Sequence, residues 1–309
     1  MAITPQRNAP DTWYPAGVSH VSARLLALSN RERARVVEPR ERRDYAADVL
    51  LLHGWGCNAF HFRHLLPALA RRGIRGIAVD LRGHGLTDKS SDAGSYSSEQ
   101  LVAFVEEVLD ALRLERAGIV GHSLGAAIAL DVGVAAPERV RWLTLLNPVG
   151  LIPLKGERLL TRIPLQIAER IPSLLSRAFA WTALKLAYGR LAKPGDYDLE
   201  QYLYPTLTPG GRFGMLAYAR AFSWAARDDD VLGRIRSPLH VMLGARDHVV
   251  HAVRAQRRLA AFGNVRVDVI PGAGHVLAEE IPETVANAVA EAAELARPND
   301  AALGPGVKR

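Results

Sequence analysis

The stretch RAGIVGHSLGAA at residues 116–127 decides the fold of this sequence. Its apolar run leads into a tight turn, and small residues typical of a helix follow. The turn has the G-x-S-x-G pattern of a nucleophile elbow and is formed by Gly121, His122, Ser123, Leu124 and Gly125. Ser123 at the tip has a strained backbone, and glycines two residues away on either side let the strand and the helix pass closely. The helix behind it offers a free N–H and the positive end of its dipole, so the pattern predicts a serine nucleophile.

A second glycine-rich corner, LLLHGWGCNAF at residues 50–60, also follows an apolar run and precedes a helix. Its Gly54-x-Gly56-x-x-Ala59 spacing matches the dinucleotide-binding fingerprint, and Asp80 ends the next apolar run, where a ribose-binding acid is expected. The same corner suits a backbone N–H that holds a transient oxyanion in a hydrolase. From this corner alone, a dinucleotide-dependent oxidoreductase and a hydrolase are both open.

A serine nucleophile needs a base, and the base needs an acid that orients it. GARDHVV places Asp247 after the next-to-last predicted strand, and IPGAGHVL places His275 after the last one. The order Ser, Asp, His is that of the α/β-hydrolase triad, and the ends of parallel strands are where open sheets build their sites. The rival acids at 228–230 precede a strand and are better explained as a solvated turn, and Asn147 lacks the charge.

Composition limits the class of protein. The 309 residues are 49% hydrophobic and 23% charged, which is typical of a soluble globular protein. No apolar run approaches the roughly 18 residues of a membrane span. The start, MAITPQRNAPDTW, has no apolar signal-peptide region, so we expect a cytoplasmic protein. A single cysteine, Cys57, excludes an internal disulfide bond.

Short apolar runs alternate with amphipathic segments along most of the chain. This alternation predicts an α/β protein with a mostly parallel, doubly wound sheet flanked by helices. The predicted strands lie at 22–28, 33–38, 49–54, 74–80, 116–121, 141–147, 238–244 and 265–271. Asn58 is expected to cap a helix whose buried positions begin at Phe62, Ser97 to cap a second helix, and 283–296 to form the last one.

The segment 151–232 breaks this alternation. It contains proline-punctuated helical pieces and no clear strand, and it is too long for an ordinary crossover. We therefore predict a helical cap inserted into a core formed by 1–150 and 233–298, with a disordered tail at 299–309. Three apolar cap residues are candidates for either an acyl pocket or the interior of the cap: Phe179, Trp181 and Leu184.

Positive charge is concentrated in the predicted cap. Between Lys155 and Lys193 there are eight basic and two acidic residues, a net +6 against +7 for the whole chain. A solvated helix surface is one interpretation, and a lid that meets an anionic lipid surface is the other, since apolar residues from Leu159 to Phe179 interleave with the charges. No nucleic-acid-binding signature accompanies them, so no nucleic-acid partner is expected.

Five stretches together resemble the α/β-hydrolase superfamily, in its capped esterase/lipase-like branch: LLLHGWG, VDLRGHGLTD, GHSLG, GARDHVV and PGAGHVL. The resemblance covers residues 20–298 apart from the cap. It implies the α/β-hydrolase fold and an oxyanion hole formed by the N–H groups of Trp55 and Leu124. In epoxide hydrolases and haloalkane dehalogenases of this fold the elbow residue is an aspartate, so Ser123 argues against those two activities.

The expected activity is hydrolysis of a small carboxylic ester by Ser123, His275 and Asp247 through an acyl-enzyme, without a cofactor or metal. Three alternatives remain: hydrolysis of a carbon–carbon bond by the same triad, a hydrolase-derived ligand receptor, and the dinucleotide oxidoreductase, which leaves the triad motifs unexplained.

Other conspicuous side chains have simpler explanations. His61 and His64 lie three apart on a predicted helix, but no carboxylate or third ligand is evident nearby, so both are expected at the surface and not at a metal site. Cys57 is expected to be a small buried thiol, and His84 to shape the floor of the pocket.

Overall fold

The computed structural model describes residues 20–29, 31–41, 43–154, 164–170 and 173–296. Eight strands of these residues form one sheet in the order β1-β2-β4-β3-β5-β6-β7-β8. The strands are β1 (Val21–Ala27), β2 (Arg33–Pro39), β3 (Ala47–Leu52), β4 (Ile74–Val79), β5 (Ala117–His122), β6 (Val140–Leu146), β7 (Leu239–Gly244) and β8 (Val265–Ile270). Both antiparallel pairs of this sheet involve β2, which lies between β1 and β4, and the other five pairs are parallel. This confirms the predicted mostly parallel sheet, with every strand within two residues of its expected bounds.

Helices pack on both faces of the sheet, and further helices form the connection between β6 and β7. They are α1 (Leu65–Arg71), α2 (Ser98–Ala111), α3 (Leu124–Ala135), α4 (Ser173–Ala187), α5 (Asp196–Leu207), α6 (Gly211–Ala221), α7 (Asp229–Gly233), α8 (Ala252–Leu259), α9 (Leu277–Glu280) and α10 (Pro282–Leu295). Alternate residues of β3 point to opposite faces, so Leu50 packs in a cluster with α2 and α3, and Leu51 in one with α1 and α10. The Ser97 hydroxyl accepts the Gln100 N–H at 3.4 Å and caps α2 as predicted.

The helix expected to begin at Asn58 is interrupted. Asn58 caps a 3₁₀ turn, Ala59–Phe62, and α1 begins only at Leu65. The Asp80 carboxylate accepts the Ala59 N–H at 2.6 Å, while Asn58 Oδ1 accepts the Phe60 N–H at 2.9 Å. The Asp80 bond holds the first turn against the loop after β4, and the Asn58 bond closes the turn itself. The prediction of a helix capped by Asn58 is therefore wrong about where the α-helix starts.

Helices and loops, without a strand among the described residues, connect β6 to β7 over 164–170 and 173–232. The two ends of this connection meet where the Arg227 N–H donates to the Gly150 carbonyl at 2.8 Å. The cap boundaries at 151 and 232 stay a prediction, and the expected tail at 299–309 lies outside the described residues, as do Leu159, Leu160 and Ile163. No helix within the described ranges is long and apolar enough to cross a membrane.

Candidate active site

Ser123 lies in the turn between β5 and α3. Its φ of 52° and ψ of −110° are strained for a residue with a side chain, as the elbow pattern predicts. The flanking glycines are required because a Cβ at Gly121 would lie 2.5 Å from Ala126 Cα, and one at Gly125 would lie 2.1 Å from the Leu52 carbonyl oxygen. The sharp turn therefore depends on close contact of α3 with β3 and β5.

His275 and Asp247 form a direct pair. Asp247 follows β7, His275 follows β8, and Asp247 Oδ2 lies 2.7 Å from His275 Nδ1. The Asp247 carboxylate is inaccessible to solvent, and its other oxygen accepts the N–H groups of Val249 at 2.6 Å and Val250 at 3.0 Å. A carboxylate held in this way favours the tautomer with a proton on Nδ1 and leaves Nε2 as a proton acceptor.

The backbone of His275 is also held on both sides. Its N–H donates to the Ala187 carbonyl at the end of α4, at 2.6 Å. Its carbonyl accepts from His122 Nε2 and Asn147 Nδ2, each at 2.9 Å. The imidazole is thus positioned by β5, β6 and α4 in addition to Asp247.

Ser123, Asp247 and His275 line one cavity of about 900 Å³, which is within the usual range for a ligand pocket. Most of its wall is apolar and comes from the connection between β6 and β7, including Ile152, Leu154, Phe179, Leu184, Leu203 and Met215. Of the three cap residues with two candidate roles, Phe179 and Leu184 line this cavity, whereas Trp181 lies under the Lys185 ammonium at 4.5 Å.

The corner at 53–56 forms another part of the wall. Trp55 is anchored through its indole N–H to the Met215 carbonyl at 2.9 Å, and the Gly56 N–H donates to His84 Nε2 at 3.2 Å. His84 is buried and does not itself line the cavity, but it accepts a bond from Gly56, which does, so its role in shaping the pocket floor stays a prediction. Leu124 is the first residue of α3, and its N–H therefore has no acceptor within the helix.

Asp80 is fully buried and its oxygens are occupied. They accept the N–H groups of Ala59 at 2.6 Å and Leu86 at 2.8 Å, and one faces Arg35 Nη1 at 3.2 Å. The carboxylate expected to bind ribose in an oxidoreductase is therefore engaged in holding loops together.

A buried cluster that the sequence analysis missed surrounds Glu279. Its carboxylate accepts from His61 Nδ1 at 2.9 Å, from Arg63 Nη1 at 2.7 Å, and from the hydroxyls of Tyr188 and Tyr202. Burial alone raises the pKa of this carboxyl, but the Arg63 charge and the His61 bond outweigh burial and lower the pKa to about 2.

The prediction that His61 is a surface residue is therefore wrong: it is fully buried, and its carboxylate partner lies 218 residues away in the sequence. His64 is exposed as expected. The available signal was the position of Glu279, four residues after His275 and hence close to the site.

Cys57, His61 and His122 each offer a metal-ligand atom within 4.8 Å of the other two. The two imidazoles stack, however, with centroids 4.2 Å apart and planes at 22°. The nitrogen lone pair of each imidazole lies in the plane of its ring, so two nearly parallel rings direct their lone pairs along separate planes. Zn²⁺ needs both lone pairs to point at one position, about 2.0–2.1 Å from each nitrogen. Desolvation and the Glu279 carboxylate also raise the pKa of the Cys57 thiol, which opposes formation of a thiolate ligand. The arrangement favours a packing contact over metal binding.

Comparisons with known proteins agree with this architecture. The sequence model described as "Alpha/beta hydrolase family" matches residues 49–288. A serine hydrolase-like protein of Danio rerio is 35% identical over 123 residues, which is 40% of this chain and 37% of that protein. Epoxide hydrolase B of Mycobacterium tuberculosis is 35% identical over 126 residues, 40% of this chain and 34% of that enzyme. The matches thus span about a third of the length of these two curated relatives.

Among solved structures, Cfl2 of Burkholderia cenocepacia superposes with a TM-score of 0.75 at 22% identity, covering 90% of this chain and 97% of that one. This likeness and the family match confirm the predicted fold and the resemblance to the α/β-hydrolase superfamily.

Proposed function

Because the chain belongs to the alpha/beta hydrolase family, we propose that it is a serine hydrolase that cleaves carboxylic esters through an acyl-enzyme on Ser123. The observation that carries the proposal is the His275–Asp247 pair, 2.7 Å between nitrogen and oxygen, in the same cavity as a strained serine at a helix N-terminus. A nucleophile, a base and an orienting acid that open onto one pocket are the elements of acyl transfer.

In the first half-reaction, His275 Nε2 takes the Ser123 hydroxyl proton while Oγ bonds to the acyl carbon. The ester carbonyl becomes a tetrahedral oxyanion, and the imidazolium gives its proton to the alcohol as the ester C–O bond breaks. Water then repeats the sequence on the acyl-enzyme and releases the acid. Asp247 stabilises the imidazolium and holds its tautomer throughout.

The oxyanion is assigned to the N–H groups of Trp55 and Leu124. Leu124 contributes the first N–H of α3 together with the positive end of the helix dipole. Trp55 lies in a corner fixed by the Met215 and His84 contacts, so its backbone is already oriented before the reaction. Each such donor is worth about 3 kcal/mol of transition-state stabilisation.

The names of some relatives raise epoxide hydrolysis as a competing activity. In the resemblance noted above, epoxide hydrolases of this fold have an aspartate at the elbow, whereas this chain has Ser123. A serine hydroxyl needs proton removal by His275 before it can attack, which suits acyl transfer.

Labelling and a substrate panel test this proposal. A fluorophosphonate is expected to modify Ser123 and no other serine, and Ser123→Ala is expected to fold normally and lose at least about 10⁴-fold in turnover. The panel contains p-nitrophenyl esters of graded chain length, a diketone and an epoxide. Preferred turnover of the diketone supports carbon–carbon hydrolysis by the same triad. Binding of the esters without turnover supports a receptor, and retention of a tenth of wild-type activity by Ser123→Ala contradicts a serine nucleophile.

A further inference from the structure

We propose that Asn147 is a positioning residue that holds the acid and base loops of the triad at a fixed separation. The inference rests on the proposed function, because it concerns how His275 is aligned. Asn147 directly follows β6, which lies in the sheet between β5, the strand of the elbow, and β7, the strand of the acid. Its side chain is fully buried.

The Asn147 amide bonds to both loops at once. Its Nδ2 donates to the carbonyls of Gly274 and His275, each at 2.9 Å. Its Oδ1 accepts the Gly244 N–H at 2.8 Å. One planar group therefore joins the end of β7 to the loop that carries the base.

Gly244 connects Asn147 to the acid through two hydrogen bonds. The Asp247 N–H donates to the Gly244 carbonyl at 3.1 Å, so the turn that presents the acid begins at the residue that Asn147 holds. The two loops also pack closely at this point, because a Cβ at Gly244 would lie 2.0 Å from the Gly274 carbonyl oxygen. The contact between the loops is made by the backbone of two glycines, and the Asn147 amide adds hydrogen bonds of defined direction to it.

The pattern of bonds explains why the residue is an amide. It must donate two N–H bonds and accept one, and a carboxylate lacks the donors whereas an apolar residue lacks both functions. The backbone adds a second requirement, since Asn147 has φ of 45°. Asparagine tolerates this left-handed conformation better than most residues with a side chain. The neutral amide that makes Asn147 unsuitable as the acid of the triad is therefore the group that its positioning role requires.

Two variants separate the amide from the backbone requirement. Asn147→Gly keeps the freedom to adopt positive φ and removes the amide, and Asn147→Asp keeps size and turn preference but replaces the donor. For both we expect kcat to fall by about 10²-fold with KM little changed, because displacement of a catalytic group by about 1 Å has that effect. Fluorophosphonate labelling of Ser123 is expected to slow in parallel.

Asn147→Asp has an additional pH signature. The new carboxyl faces the Gly274 and His275 carbonyls. Besides the His275 imidazole, the titratable side chains bonded to these two residues are His122, Asp247 and Glu280. When protonated the new carboxyl donates one bond, and when ionised it repels both carbonyls. The ratio of variant to wild-type kcat is therefore expected to fall as pH rises. Effects of pH that the two proteins share do not change this ratio.

Asn264→Gly is the matched control. Its amide donates to the Ile235 carbonyl at 3.2 Å, at the opposite end of β8 from His275, and the variant is expected to retain wild-type kcat and pH profile. If Asn147→Gly does not fold, Asn147→Asp assayed across pH carries the test. The positioning role alone is overturned if wild-type Ser123 labels normally while the Asn147 variants keep wild-type kcat and a variant-to-wild-type kcat ratio that does not change with pH. Failure of wild-type Ser123 to label overturns the proposed function instead.

Discussion

Asp247 differs from the acids at 228–230 in how its oxygens are used. Both Asp247 oxygens are engaged, one with His275 and the other with two backbone N–H groups. The acids at 228–230 are exposed, and Asp229 pairs with Arg258 at 2.7 Å. Hydrogen bonding and burial thus distinguish Asp247 from the acids at 228–230, which the sequence distinguished only by their positions.

Asp247→Asn is expected to lower kcat by about 10⁴-fold with little change in KM, because an amide stabilises the wrong imidazole tautomer. Steady-state kinetics on a p-nitrophenyl ester measures both constants. Asp230→Asn is the matched control and is expected to behave as wild type. A larger loss for Asp230→Asn than for Asp247→Asn contradicts the assignment of the acid.

At the level of elements, hydrogen bonds join the end of α4, a helix of the predicted cap, to the loop that carries His275. The Arg190 N–H donates to the Gly272 carbonyl at 2.8 Å, and the Gly189 N–H donates to Glu280 at 3.0 Å. Together with the Ala187–His275 bond, these contacts make the cap part of the structure that aligns the base. Any opening of the cap that preserves the triad therefore takes place away from this junction.

Gly189→Ala tests this junction, since a Cβ there would lie 2.4 Å from the Gly272 carbonyl oxygen. We expect a loss of about 1–3 kcal/mol in the free energy of unfolding and a lower kcat, as the base loop is pushed away. Urea unfolding and kinetics provide the two readouts. Gly195→Ala is the control, because the nearest atom to its Cβ would be 3.7 Å away. Equal behaviour of the two variants would show that the junction does not align the base.

The outer side of α4 is the basis of a proposed contact with anionic lipid. Phe179 is 57% exposed and Leu186 is 60% exposed, and with Ala183 they form an i, i+4, i+7 stripe. Phe179 and Ala183 also line the cavity, whereas Leu186 does not. Exposed basic residues of the same segment are Arg170, Arg177, Lys185, Arg190 and Lys193. Apolar side chains next to positive charge suit an anionic membrane surface.

Turnover of esters in anionic vesicles is expected to exceed that in neutral vesicles and to fall as the Debye length shrinks from ~30 to ~8 Å between about 0.01 and 0.15 M salt. Leu186→Ser, at the member of the stripe that does not line the cavity, is expected to reduce the difference. Leu295→Ser is the control, because Leu295 is 76% exposed on α10. Equal turnover on both vesicle types by the wild-type protein contradicts lipid contact.

The sequence predicted the parts of the molecule that depend on local pattern. Alternating apolar runs fix the eight strands, and GHSLG fixes the elbow because only glycine fits where α3 touches β3. The pairing of Asp247 with His275 followed from chain order and from the shared edge of the sheet.

The parts that local pattern did not predict depend on contacts between distant residues. His61 and Glu279 are 218 positions apart, so their pairing depends on the assembled fold. Asn147 was judged by charge alone, because its bonds to Gly244 and Gly274 exist only after three strands assemble. Local spacing carries no information about such contacts.

For the whole molecule, buried neutral histidines set the response to acid. Burial lowers the pKa of His53 to about 4, and burial also lowers those of His84 and His122 well below the ordinary value of 6.5. The unfolded chain binds these protons below pH 6.5, whereas the folded chain does not. Stability is therefore fully present above pH 6.5 and is lost as pH falls toward 4.

His53 alone is expected to lower the free energy of unfolding by about 3 kcal/mol between pH 7 and pH 4. Below pH 4.5, Glu279 adds to the loss, because its folded pKa of about 2 lies below the ordinary 4.5. Urea unfolding at a series of pH values measures the curve. His20→Gln, at an exposed position, is the control and is expected to follow the same curve. A flat free energy of unfolding from pH 7 to 4 contradicts burial of the neutral rings.

Intact-protein mass spectrometry after rapid mixing with a p-nitrophenyl ester tests the central claim, a covalent acyl-enzyme on Ser123, most directly. We predict a burst of p-nitrophenol, a mass increase equal to the acyl group, and its location on the peptide that contains Ser123. The adduct is expected to be absent from Ser123→Ala. Turnover by wild-type protein with the adduct on a carboxylate, or with equal burst and adduct in Ser123→Ala, would contradict the account.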